Sequence, residues 1–342
     1  MHTASPQYIQ FYPTLKCNFS CSFCFNRGID PVDDISISNF EALISIVSDI
    51  GVKEIDILGG EPTLHPEFSQ IVSLLYRSKM RATISSNGIN VSSLRKISGR
   101  YNGNQIKIGV SINTNSINGE LHDYIVTYKP VLKSVCTKER LISEGIKTYL
   151  GLSGVEYYLI FMDTLSEGDL RDSLPFYVFF QEVNRLKNLY RHVNGVFCSG
   201  FIPDIENYPV LQYVRCPAGT TKLSVMPDGS VYPCYLFFRN REFRLGNILI
   251  DEFNRIWRNP VLEFFRKFEK NSCINTRCKL FSLCHGGCPA ISFMIFGSLN
   301  APDPRCVYHS SQTPMSHWIS KAHENISPSP LSPPVKGGED KR

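Results

Sequence analysis

From residue 7 to about residue 200, short runs of β-branched and apolar residues alternate with longer stretches whose apolar positions recur every three to four residues. That alternation is the mark of strands followed by amphipathic helices, as in repeated βα units around a mostly parallel sheet. The strands it predicts are Tyr8 to Tyr12, Glu54 to Leu58, Ala82 to Ser86, Ile106 to Ile112, Lys147 to Gly151 and Val193 to Cys198. Between them, Ser38 to Ile50 opens on an N-cap serine and puts Phe40, Leu43, Ile44 and Val47 on one face. With Gly51 just past its end, it reads as a helix. Glu67 to Ser78, Val131 to Ser143 and Pro175 to Arg191 read the same way.

After about residue 210 the pattern breaks into turns dense in Cys, Gly and Pro. Pro227-Asp228-Gly229 between two apolar runs predicts a hairpin. The clear helical stretch there, Leu249 to Lys270, carries Ile256, Trp257, Phe264, Phe265 and Phe268, and Pro260 breaks it in two. From about residue 327 the chain is Ser/Pro-rich and then ends Gly-Gly-Glu-Asp-Lys-Arg, with almost nothing to bury, which predicts a disordered tail. The expected division is therefore 1–205, 206–312 and a C-terminal extension 313–342.

Composition changes this picture little until cysteine is reached. Of 342 residues 42% are hydrophobic and 20% charged, ordinary for a globular chain. A formal charge of +5 is too small and too dispersed to imply nucleic-acid binding. No apolar run approaches the roughly 18 residues of a membrane helix, so no membrane is expected as a partner. Met1 to Pro13 shows no basic start followed by an apolar run, hence no signal peptide. The twelve cysteines are clustered, three between Cys17 and Cys24 and seven between Cys216 and Cys306. Without a secretory signal, such clusters point to a reducing, cytoplasmic protein whose thiolates bind metal.

Cys17, Cys21 and Cys24 form C-x-x-x-C-x-x-C directly after the first predicted strand, in the loop where a barrel of this kind places its chemistry. Three thiolates are one short of a closed zinc site, whereas a 4Fe-4S cluster held by three leaves one iron open. The spacing by itself leaves a chance trio or part of a zinc site open. With Phe23 ahead of Cys24, the stretch resembles the signature of the radical S-adenosylmethionine (SAM) superfamily. The resemblance implies that the cluster reduces SAM to a 5′-deoxyadenosyl radical, which abstracts a hydrogen atom. It also implies SAM contacts from Gly59-Gly60-Glu61-Pro62 at the end of the second strand, a GGEP segment that binds the SAM amino group in the family. A glycine pair suits close backbone approach to a ligand, and a carboxylate suits an ammonium group. The resemblance further places Ser86 and Asn87, closing the third strand, and Ser111 and Asn113, closing the fourth, at the SAM carboxylate and ribose. Asn113 stands where an Asp is common. His122-Asp123-Tyr124-Ile125-Val126 lacks the family's Arg, at Val126. Ser86 and Ser111 read equally as strand-end caps.

The later cysteines resemble the SPASM extension of the same superfamily, whose seven cysteines hold two auxiliary 4Fe-4S clusters. Cys216 precedes Gly229 by twelve intervening residues and Cys234 follows after four; Cys278, Cys284 and Cys288 are separated by five and three, with Cys306 after seventeen. Cys273 precedes Cys278 by four intervening residues where two are common, leaving Asn275 at the expected place. The resemblance assigns Cys216, Cys234 and Cys288 to the first auxiliary cluster, and Cys198, at the end of the last predicted strand, reads as its fourth ligand or as a buried free thiol. Cys273, Cys278, Cys284 and Cys306 fall to the second. Thiolate spacing does not choose between iron-sulfur and zinc. Cys136 fits no pattern and is assigned to packing. His285 reads as a surface or outer-sphere residue and His65 as a cap on the next helix. The basic stretch Arg239, Arg241 and Arg244 reads as a solvated loop, with an acidic substrate contact as the lesser alternative.

The fold this implies is a partial (β/α)6 TIM-like barrel followed by a small cysteine-rich SPASM domain. The resemblance implies a peptide or protein substrate altered by cross-linking, oxidation or epimerisation, and a reductant such as flavodoxin or ferredoxin. Peptide maturases often carry a leader-binding domain before the barrel; only sixteen residues precede Cys17, so any such domain would be a separate partner chain. A sulfatase-maturing enzyme would place an Asp after the cysteine aligned with Cys234. Tyr235 is there instead, a packed aromatic or itself a proton or radical acceptor and hence the weak catalytic candidate. Two alternatives remain: oxidative decarboxylation in tetrapyrrole or other cofactor biosynthesis, and a non-catalytic iron-sulfur scaffold.

Overall fold

The structure is a computed structural model that describes residues 5–196, 216–266 and 286–306. Cys198, Cys273, Cys278, Cys284, His285 and the Pro-rich tail lie outside the described residues. Seven parallel strands follow one another across the sheet, β1 (Tyr8–Phe11), β2 (Glu54–Ile57), β3 (Arg81–Ser86), β4 (Ile106–Ser111), β5 (Val131–Cys136), β6 (Tyr157–Phe161) and β7 (Val193–Val196). On the other side of β1 lies a further parallel strand, β8 (Lys222–Val225), with Tyr8 opposite Lys222 and Phe11 opposite Val225. Then β9 (Ser230–Tyr232) and β10 (Gly246–Asn247) turn back antiparallel. The Pro227-Asp228-Gly229 turn forms the expected hairpin, with Gly229 at φ +82. Among the described residues the sheet runs from β10 to β7 without closing, the geometry of a partial barrel. The part after residue 216 is thus continuous with the barrel sheet.

Helices cover the outer face. α1 (Ile37–Asp49) buries the four residues its period selects, but its cap is Ser36, whose side chain accepts from Asn39 N, two residues earlier than expected. α2 (Phe68–Arg77) falls as predicted. α3 (Val91–Arg100) and α4 (Gly119–Tyr128) are capped by Asn90 and Asn118. α5 (Glu144–Lys147) and α6 (Glu167–Asp172) are short, and α7 (Phe176–Leu189) starts after Pro175. In the last part, α8 (Phe253–Trp257) ends before a 3-10 turn that begins at Pro260, so the break falls where proline forces it.

The sequence reading fails between residues 131 and 161. Val131 to Ser143, expected as a helix, begins with strand β5, and Lys147 to Gly151, expected as a strand, overlaps the end of α5. The true sixth strand, β6, lies further on. Five of the six β5 residues are buried, Val131 to Ser134 without a break, because helices cover one face and the barrel interior the other. No period-two signal survives in such a strand.

The two faces of the sheet differ in chemistry. Phe11 packs on Phe40 of α1 at 5.4 Å between ring centroids, on the helical side. Toward the barrel interior, Tyr8 donates to Asp56 (2.9 Å), Ser224 to Gln10 (3.0 Å) and Lys133 Nζ to Ser85 Oγ (2.6 Å). Buried polar groups of this kind persist only where they are paired.

Candidate functional site

The cysteine loop is fastened to the end of β2 by two backbone bonds and one side-chain bond. Gly60 N donates to Thr14 O (3.0 Å), Glu61 N to Lys16 O (2.8 Å), and Asn26 Nδ2 to Gly59 O (2.7 Å). A Cβ on Gly60 would stand 2.1 Å from Lys16 O, and one on Gly59 2.4 Å from Thr14 O. The close approach that both glycines permit is therefore to the root of the cysteine loop. Beyond that root, Cys17 is exposed and Cys21 and Cys24 are partly buried. Phe19 N points at Cys17 Sγ (3.4 Å) and Cys24 N donates to Cys21 O (3.1 Å). Burial and the neighbouring thiols Cys24 and Cys17 push the Cys21 thiol up. Burial also raises Cys24, opposed by the Asn26 backbone N–H and by Arg27 and Arg239.

Glu61 is the joint of the site. Its Oε1 accepts from Thr63 N (3.1 Å), Thr63 Oγ1 (2.7 Å) and Ser86 Oγ (3.0 Å), and its Oε2 from Asn87 N (2.7 Å). It caps the 3-10 turn Pro62–Leu64 and ties the end of β2 to the end of β3. Ser86 accepts from Gly88 N (3.1 Å), and Asn87 Nδ2 reaches Asn18 Oδ1 (2.7 Å) in the cysteine loop. At the next strand end, Asn113 Oδ1 accepts from Val135 N (2.8 Å), joining the exit of β4 to β5.

These strand ends surround one cavity of about 1080 Å³, at the carboxyl ends of the parallel strands. Cys17, Cys21, Cys24, Gly59, Gly60, Glu61, Ser86, Asn87, Ser111 and Asn113 all line it. Pro62 does not, being buried in the 3-10 turn beneath. Val126, where the family's Arg is missing, is 43% exposed on α4 and does not line the cavity.

Two lining residues escaped the sequence reading. Lys133 on β5 has its ammonium pushed down to about 8 by burial, against the pull of Asp56 and Glu61. Asp163, two residues past β6, accepts from Tyr235 Oη (2.6 Å) and lines the cavity, whereas Tyr235 itself is fully buried and packs edge-on to Phe25. Both were hidden by the misread region. The aromatic run Tyr157-Tyr158-Leu159-Ile160-Phe161 was the available signal for β6.

Of the later cysteines, Cys216, Cys234 and Cys288 come close enough to act on one another. Burial lifts Cys234 to about 11, with Lys222 opposing and Cys216 adding. Burial also raises Cys288 well above the ordinary thiol range, with Arg305 opposing and Cys216 and Cys234 adding. Ala218 N points at Cys216 Sγ (3.4 Å). Cys306 lies in the short segment after the helix Pro289–Phe296. Among the described residues, no three His, Cys, Asp or Glu side chains converge on a single-ion site.

The remaining residues singled out have structural partners. Cys136 is buried against Leu141 O (2.9 Å), with its thiol pushed up to about 12. His65 Nδ1 accepts from Glu67 N (3.1 Å), so Nε2 carries the proton and donates to Ile35 O (2.9 Å). Arg239 donates to Phe25 O and Arg241 pairs with Asp30 (3.2 Å). The basic stretch therefore braces the cysteine loop, and Arg244 remains exposed.

An open parallel-sheet barrel with three cysteines at its mouth, continued by a cysteine-bearing hairpin segment, defines an enzyme built around thiolate-held cofactors. The radical SAM superfamily profile matches residues 11–172, and that of the SPASM iron-sulfur cluster-binding domain matches residues 216–289. The chain is a radical SAM enzyme with a C-terminal SPASM domain. Similar curated proteins include the antilisterial bacteriocin subtilosin biosynthesis protein AlbA of Bacillus subtilis, 24% identical over 307 residues, 83% of this chain and 67% of AlbA. The mycofactocin maturase MftC of Mycobacterium ulcerans is 23% identical over 321 residues, 86% of each chain. Streptococcus suis SuiB, solved bound to the precursor peptide SuiA, shares the fold with a TM-score of 0.67 at 19% identity, over 88% of this chain and 76% of that one.

Membership implies 4Fe-4S clusters and SAM, and the donor set fits them. Buried thiols raised by their own burial and by one another become good ligands only when a cation neutralises them. The cysteine loop also carries a backbone N–H aimed at sulfur. Among the described residues, no helix is long and apolar enough to cross a membrane.

Proposed function

We propose that this radical SAM enzyme modifies a peptide or protein by cross-linking, oxidation or epimerisation at an unactivated carbon. The observation that carries the reading is the cavity. At about 1080 Å³ it is slightly larger than the roughly 300–1,000 Å³ of most small-ligand pockets, and in this reading it takes the cluster held by Cys17, Cys21 and Cys24, SAM and a substrate residue together. The names of AlbA, MftC and SuiB's bound precursor peptide support a peptide as that substrate. A flavodoxin or ferredoxin as reductant and a separate leader-binding protein belong to the same reading.

In this reading Cys17, Cys21 and Cys24 hold the SAM cluster, and Gly59, Gly60, Glu61, Pro62, Ser86, Asn87, Ser111 and Asn113 form the SAM side of the cavity. Cys198, Cys216, Cys234 and Cys288 hold one auxiliary cluster, and Cys273, Cys278, Cys284 and Cys306 the other. The division into 1–205, 206–312 and 313–342 goes with it. When bound, cluster and SAM together supply reductive cleavage and a hydrogen-abstracting radical. The chain's own part is placement. Glu61 fixes the two strand ends, and the Lys133 ammonium and the Asp163 carboxylate line the reacting space. Glu61 itself works as a joint, its carboxylate already accepting four hydrogen bonds.

The test is anaerobic reconstitution under strong reductant, scoring 5′-deoxyadenosine against a Cys17→Ala, Cys21→Ala, Cys24→Ala variant. Short peptides encoded beside the gene are then screened by mass spectrometry in deuterated buffer. Loss of two hydrogens marks a cross-link or oxidation, and uptake of one deuterium marks epimerisation. Wild type that cleaves SAM, yet alters a propionate-bearing tetrapyrrole and no peptide, would replace the peptide reading with decarboxylation.

A further inference from the structure

A buried ion pair outside the cavity has no part in the reading above. Arg305 and Asp303 have side chains only 1% exposed each. The guanidinium is bidentate on the carboxylate, with Nε to Oδ1 at 3.0 Å and Nη2 to Oδ2 at 2.8 Å. Its third edge donates from Nη1 to Met162 O (2.9 Å), and its plane lies over the Phe161 ring at 4.3 Å. Both contacts are at the exit of β6, next to Asp163. The other end of the pair grips the cysteine segment: Asp303 Oδ2 accepts from Cys288 N (2.8 Å), and Cys306 N donates to Asp303 O (3.0 Å). A Cβ on Gly287 would stand 2.2 Å from Asp303 Cβ, so the chain before Cys288 lies directly on the carboxylate.

A buried ion pair is a poor source of stability, since desolvation offsets most of the attraction. What it supplies is geometry and fixed charge. We infer that Asp303 and Arg305 are positioning residues of the auxiliary site, holding Cys288 against the β6 exit and setting the charge beside the cluster it ligates. This rests on the assignment of Cys288 as a ligand. Thiolate-held iron-sulfur clusters respond to net charge and to hydrogen bonding around them, so a change in this pair moves their potential.

The experiment uses the full chain, reconstituted in the Cys17→Ala, Cys21→Ala, Cys24→Ala background so that only auxiliary clusters report. Reduction potentials are read by EPR-monitored titration, and iron and sulfide are counted. Cys288→Ser first identifies which signal belongs to this site; if iron content and signals are all unchanged, the ligand assignment fails, independently of the clamp. Asp303→Asn keeps shape and an oxygen facing Cys288 N, and removes the one negative charge that Arg305 holds bidentately. The expected result is retained iron and a positive shift in the potential of the Cys288-dependent signal. Arg305→Met removes the contact to Met162 O, and loss of that signal's iron is expected, with Asp303→Asn deciding the matter if the methionine variant does not fold. An unshifted potential in Asp303→Asn, or full iron at the wild-type potential in Arg305→Met, overturns the inference. A purely structural role would not give the one-directional shift with iron retained.

Discussion

Glu61 accepts four hydrogen bonds from two loops while almost wholly buried, so each of its partners depends on a single carboxylate. Glu61→Gln replaces one acceptor oxygen by a donor and sets it against a hydroxyl or backbone N–H. A loss of about 1–3 kcal/mol is expected, read by urea unfolding of the reduced apoprotein. Glu61→Ala leaves four donors without their acceptor and should cost more; equal stability of all three proteins would refute the joint. Lys133 predicts a pH effect. Its ammonium titrates near 8 in the folded chain and near 10.4 when unfolded, so the unfolded chain binds more protons between those values. Stability relative to Lys133→Met therefore rises with pH across that window, by an amount on the order of 3 kcal/mol, the full penalty of the buried charge being present below it. Because the thiols of the unfolded chain titrate at about 8.5, inside the same window, the difference between the two proteins at pH 7.5 and pH 10 is the quantity to measure, and a falling difference would sink the assignment.

At the scale of elements, the two loops that meet at Gly60 have no room for a side chain. Gly60→Ala drives a methyl into Lys16 O and Leu15 O, both backbone, and must move the cysteine loop. Reconstituted Gly60→Ala should lose iron from the first cluster site, while Gly119→Ala, at the open first turn of α4, should fold normally and gain about 0.5 kcal/mol. The contrast, read as iron per chain and melting temperature, separates close packing from glycine flexibility. It also explains what the sequence showed of the site. The cysteine triplet and the GGEP segment are legible because ligand chemistry and close approach are written in adjacent residue types. Lys133 and Asp163 are not, because their place depends on which face of β5 and β6 meets the interior. A strand buried on both faces, with a lysine turned inward, carries no alternation to read. The same lysine in a stretch read as a helix looks like one more solvated position.

Across the whole molecule, the hairpin β8–β9 delivers the segment after Cys234 to the back of the cysteine loop. Tyr235 and Phe238 meet Phe25 and Tyr12 edge-on at 4.6 and 4.9 Å, Arg239 holds Phe25 O, and Arg241 reaches Asp30. The loop it supports is held internally by only a few turn bonds, such as Ile29 N to Asn26 O (3.3 Å), and has little core of its own. Its order therefore depends on its surroundings, the later part of the chain as well as the ends of β2 and β3, and the two cysteine regions are mechanically joined even in the apoprotein. Arg239 is the part of this brace that a single substitution removes: it donates to one backbone carbonyl, and burial and the nearby Arg27 lower its pKa against the pull of Asp163, Asp169 and Cys24. Arg239→Met keeps the aliphatic packing and deletes that contact. Local opening should then become easier across residues 24–29, so their amides exchange several-fold faster by mass spectrometry, while those of β3 and β4 keep wild-type rates. Uniform acceleration across the barrel would mean that Arg239 stabilises the whole fold. Unchanged exchange at residues 24–29 would mean that the aromatic contacts alone carry the brace, and that Phe25→Leu is the variant that loosens the loop.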